Sequence, residues 1–76
     1  MELQNFIDNF ASQFEETDAS EFSGQTKFKD LEEWSSLIAL SVIAMVDAEC
    51  GVKIKGEDIR NSNTVEDLYN TIKSRM

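Results

Sequence analysis

The stretch EEWSSLIALSVIAMVDAECG, residues 32–51, decides how the rest of the chain is read. An acidic opening that carries Trp34 passes through two serines into apolar residues, with no proline and no glycine before Gly51. That composition predicts a helix beginning at Ser35 or Ser36 and ending near Gly51, whose missing side chain suits the left-handed residue that often closes a helix. Ala39, Val42, Ile43, Val46 and Cys50 fall in one stripe at helical spacing and form the expected core face. Leu37, Ser41, Ala44, Met45 and Ala48 lie opposite. This second face is poorer in charge than a solvent-facing helix normally is, so it is either a contact surface or one side of a central helix buried on most sides.

Upstream, Leu3, Phe6, Ile7, Phe10 and Phe14 recur at steps of three and four between Gln4, Asp8, Asn9 and Gln13, which predicts an amphipathic first helix of about four turns. From Glu16 to Glu33 no period is sustained. Phe22, Phe28 and Leu31 punctuate this stretch as apolar anchors of a long connection, and loops of such length in small domains are commonly functional. Downstream, Val52 and Ile54 form a short extended anchor, and residues 56–61 fit a brief helical turn carrying Ile59. Thr64, with Asp67 three residues on, caps a last helix through Val65, Leu68, Tyr69 and Ile72 to about Lys73. Glu66 and Asp67 at its start and Lys73 and Arg75 at its end agree with the helix dipole. The expected fold is all-α: a small four-helix bundle of three main helices and one short helix, with a long loop between the first two.

The 76 residues allow one domain, 1–76, close to the lower size limit for a self-sufficient core. Fifteen acids against seven bases give a net charge of −8, which opposes nucleic acid and anionic membrane surfaces and favours basic protein partners. The longest apolar run, Leu37 to Val46, is too short to span a bilayer, and the opening MELQNF lacks the zones of a signal peptide, so a cytoplasmic monomer without membrane insertion is expected. One cysteine and no histidine exclude disulfide scaffolds, Cys/His zinc sites and histidine-dependent triads.

A serine at a helix start is ordinarily a cap, because its oxygen satisfies a free backbone N–H. Two in succession allow one to cap while the next projects its hydroxyl from the first turn, where the helix dipole favours a phosphate ester. Other constellations are weaker. Asp47, Glu49 and Asp58 fail as a calcium loop, because Lys53 and Lys55 would fall at ligand positions, and no metal site is expected. Glu32 and Glu33, adjacent loop acids without an evident pocket, read as solvated charge rather than as an acid–base pair. Cys50, on the core stripe, reads as a buried structural thiol.

The segment FKDLEEWSSLIALSVIAMVDAECGVKI, residues 28–54, resembles the central segment of acyl carrier proteins, in which an acidic loop leads to an Asp-Ser-Leu motif and an apolar helix. The resemblance extends to GEDIRN as the short third helix and to NTVEDLYNTI as the closing Thr-Val-x-Asp-Leu helix. It implies an acyl-carrier-like bundle with 4'-phosphopantetheine, donated by coenzyme A, attached to Ser36 through a phosphodiester. Ser35 stands where the family usually has Asp. Trp34 before the motif is similar to the Trp-x-Ser-Leu carriers of specialised pathways, although it also fits an anchor that folds the loop onto the bundle.

The function so implied is to hold acyl intermediates as thioesters and present them to biosynthetic enzymes, as in fatty-acid biosynthesis and lipid metabolism, with the cargo class (fatty, polyketide-like or peptidyl) left open by the motif and no catalysis by the chain itself. A phosphopantetheinyl transferase and acyl-loading and acyl-transferring enzymes with basic docking surfaces are the expected partners. Glu32, Glu33, Asp47, Glu49, Glu57 and Asp58 would draw them in, and Trp34, Leu37, Ile38 and Met45 would give short-range contacts. The alternative is an unmodified acidic helical adaptor using the same surface. A hydrolase with Ser36 as nucleophile is disfavoured, because no base is in evidence in the sequence.

Overall fold

In a computed structural model that describes residues 2–76, four helices pack around one core: α1 (Leu3–Ala11), α2 (Ser36–Cys50), α3 (Gly56–Arg60) and α4 (Val65–Lys73). There is no strand among the described residues. Two single 3₁₀ turns, Ala19–Glu21 and Phe28–Asp30, interrupt the long connection between α1 and α2. No helix is long and apolar enough to cross a membrane.

The first helix is shorter than its periodicity suggests. It spans nine residues, not the twelve from Leu3 to Phe14, and the cause is local. The Asn9 carbonyl, which should accept the Gln13 N–H in a continuing helix, instead accepts from Ser12 Oγ at 2.7 Å and Gln13 Nε2 at 3.1 Å. The backbone tightens to i→i−3 bonds, Gln13 N–H to Phe10 O and Phe14 N–H to Ala11 O. Phe14 is buried all the same, carried into the core by a turn.

Phe10 lies at the centre of an aromatic cluster. Fully buried, it meets the rings of Phe6, Phe14, Phe22 and Phe28 at centroid distances of 5.3 to 6.0 Å. Phe6 continues the cluster to Tyr69 on α4 at 5.7 Å. Phe22 and Phe28 come from the long loop and are its expected anchors, with Leu31 packed at the edge of the core. The loop is also tied through its main chain: Gly24 O and Thr26 O accept the N–H groups of Glu66 and Val65, two of the donors left free at the start of α4. A radius of gyration of 11.0 Å, about that of a fully folded domain of this length, shows that the loop adds no loose bulk.

Along α2, Val42 and Val46 are fully buried as expected, with Ala39, Ile43 and Cys50 half-buried against the core. Met45 departs from expectation. Placed on the opposite face by sequence spacing, it is only 8% exposed and belongs to the core, because the buried direction of the helix is turned toward Ile38, Val42, Met45 and Val46. Val52 and Ile54 are buried extended anchors, and Ile59 on α3 is buried in the same core. The α4 capping box forms as predicted: Thr64 Oγ1 accepts from Asp67 N–H, and Asp67 Oδ2 accepts from Thr64 N–H, each at 3.1 Å.

Gly51 ends α2 at φ 68° and ψ 20°, its N–H bonded to Asp47 O. A β-carbon there would meet nothing within 4 Å, so the cost of Gly51→Ala is conformational alone. We expect a loss of about 1 kcal/mol and a melting temperature lower by about 4–8 °C, measured by circular dichroism.

Candidate functional site

The two serines divide their tasks. Ser35, extended at φ −154° and ψ 170°, is the N-cap of α2, and its Oγ accepts the Ile38 N–H at 3.3 Å. Ser36 is the first residue of the helix and is exposed, its hydroxyl unused by the cap. The helix entry is held by Trp34, which is half-buried, edge-on to Phe28 at 5.0 Å and stacked on Phe14 at 6.3 Å. Of the two roles considered for Trp34, anchoring the loop is the one the packing supports.

A second tether lies one residue earlier. The Glu33 carboxylate accepts the N–H groups of Glu15, Glu16 and Thr17 at 2.7, 3.0 and 2.8 Å, and the Thr17 hydroxyl at 2.8 Å. Desolvation works to raise its pKa, but the Thr17 hydroxyl and the three N–H donors outweigh it and hold the carboxyl below its usual value. Glu33 is therefore a clamp between the end of the α1 region and the approach to α2, not the solvated docking charge expected from the sequence.

Ser36 opens on a cleft of about 580 Å³ between the start of α2 and α3, lined by Trp34, Ala39, Leu40, Ile59 and Arg60 among others. A smaller cleft of about 300 Å³, bordered by Gln13, Glu33, Ser35, Leu37 and Ile38, lies on the other side of the serine pair. Leu37 at 74% and Leu40 at 62% are the large apolar side chains most exposed on the helix, and with Ala44 and Ala48, also exposed, they form an outward stripe. Ile38 is half-buried against the core and reaches that surface only at its edge.

Compared with protein-family models, with curated proteins and with solved structures, the chain gives no match.

The remaining acids are divided by structure. Glu32, Asp47, Glu49 and Glu57 are exposed. Asp58 is not a spare charge: its carboxylate takes both arms of Arg75 at 2.6 and 2.8 Å and accepts the Lys55 N–H at 2.9 Å. These bonds, that of Arg75 first, hold its pKa at about 2. Cys50 is half-buried, and burial pushes its thiol pKa up. No group of three or more His, Cys, Asp or Glu able to hold a metal occurs among the described residues.

Leu40 and Arg60 line the site without having been singled out in the sequence. Leu40 was recoverable, because Leu37, Leu40, Ala44 and Ala48 share a helical spacing. Arg60 carries no local signal, since only the packing of α3 against α2 brings it to the cleft.

Two measurements test these arrangements. Because the Asp58 pKa is lowered, its contribution to stability is present above pH 3.8 and is lost as pH falls through about 2; Arg75→Gln should return the pKa toward 3.8, read from the Asp58 carboxyl ¹³C resonance. For the clamp, Glu33→Gln should speed amide exchange at Glu15, Glu16 and Thr17 at least tenfold while leaving the α4 amides protected; unchanged exchange would rule the clamp out.

Proposed function

We propose that the chain is a carrier that holds acyl groups as thioesters on 4'-phosphopantetheine attached to Ser36. The observation that carries this reading is an exposed hydroxyl on the first helical turn, relieved of capping by Ser35 and opening on a cleft with apolar walls. Ser36 Oγ is free for a phosphodiester at the positive end of a fifteen-residue helix, where an anion is favoured by about 0.3–1 kcal/mol. Trp34, Leu40 and Ile59 give the pantetheine chain apolar surface to lie against. When bound, the group supplies a thiol on a flexible tether, which forms an activated thioester and brings it to successive enzymes at high effective concentration.

The chain's own part is presentation, with no catalysis. The Glu33 clamp and the Trp34 packing hold the helix entry fixed so that a transferase meets Ser36 in one geometry. Leu37 and Leu40 offer apolar contact area, and Glu32, Asp47, Glu49 and Glu57 offer charge for basic partner enzymes. Weak docking follows from so small a patch and suits repeated exchange between enzymes. The resemblance in residues 28–54 supports the same reading.

Intact mass after incubation with a broad-range phosphopantetheinyl transferase and coenzyme A tests the proposal. We expect a phosphopantetheine-sized gain that Ser36→Ala abolishes and Ser35→Ala retains, the latter at a cost of about 1 kcal/mol for the lost cap. A wild-type chain that stays bare under these conditions refutes the carrier and leaves the acidic helical adaptor.

A further inference from the structure

We propose that Arg60 is the counter-ion of the phosphodiester at Ser36, an inference that rests on attachment of the arm there. Arg60 and Ser36 line one cleft, on α3 and α2 respectively. The guanidinium folds back along its own helix, with Nη1 3.9 Å from where a β-carbon of Gly56 would sit, and Gly56 lines the same cleft. It is thus directed along the cleft rather than away from it.

The charges around Arg60 leave it uncommitted. In a chain of fifteen acids and seven bases, the one ion pair among the described residues joins Asp58 to Arg75. Asp58 is the acid of α3 with the most bonds, and Arg75 takes it at both oxygens, so it is not available to Arg60. Glu57, the other acid of α3, is exposed and forms no pair with Arg60. The backbone beneath is fixed by Lys29, whose Nζ donates to Arg60 O at 2.8 Å. A guanidinium offers its N–H groups in a planar fork that matches two oxygens of a phosphate, which an ammonium does not. At net charge −8, a further negative group is most easily held where a cation lacks a carboxylate, and the cleft that Ser36 lines provides one.

The test uses the phosphopantetheinylated protein as wild type, Arg60→Gln and Lys73→Gln, the last a charge-matched control on α4. The ³¹P resonance of the diester is recorded at 0.01 M and 1 M salt, where screening lengths are about 30 Å and 3 Å. We expect a salt-dependent resonance in wild type and Lys73→Gln, and in Arg60→Gln a resonance that already sits at the high-salt position. The Arg60 Nε–Hε cross-peak of the wild-type chain should also move between the unmodified and modified forms, a readout that needs no variant. Coincident ³¹P shifts in wild type and Arg60→Gln together with an unmoved cross-peak would overturn the role of Arg60 while the carrier stands. An equal displacement in Lys73→Gln would show a general field instead of a contact and overturn it as well. A wild-type chain that gains no adduct would overturn both.

Discussion

The structure depends on Phe10. A chain of this size has little apolar area to spend, and its longest connection carries no regular structure beyond two single turns. What orders that connection is the ring of Phe10, against which Phe14, Phe22 and Phe28 pack from three different points of the sequence. Phe28 and Phe14 in turn hold Trp34, and Trp34 immediately precedes the two serines. The geometry at the start of α2 is thus inherited from α1 through aromatic contacts, with the Glu33 carboxylate adding a polar tie in parallel.

Much of the fold was legible in the sequence because the signals were local. The Ser35 cap, Gly51 as a left-handed terminator and the Thr64–Asp67 box each act within a few residues, and each appears where its spacing indicated. The end of α1 was not legible. Its apolar period runs on to Phe14, but the side chains of Ser12 and Gln13 capture a carbonyl the helix needs, and periodicity does not register that competition. Met45 was misplaced for a related reason. On a helix apolar nearly all round, spacing shows which residues share a face but not which face turns inward, and the packing of α1 and α3 makes that choice.

The candidate site was legible in part. The division of labour between Ser35 and Ser36 follows from cap chemistry, whereas the fates of Glu33 and Asp58 depend on partners 16–18 and 17 positions away. Both acids read as surface charge in the sequence, and both carboxylates are engaged by internal hydrogen bonds while staying ionised.

The chain's one cysteine sits at the far end of α2 from Ser36, about 21 Å along the axis at 1.5 Å per residue. The residue is half-buried, and burial raises its thiol pKa, so at neutral pH the protonated thiol is the favoured form. On the carrier reading proposed above, a thioester at the opposite tip would face a scaffold thiol held mostly in its protonated form, which disfavours internal transfer before an outside acceptor arrives.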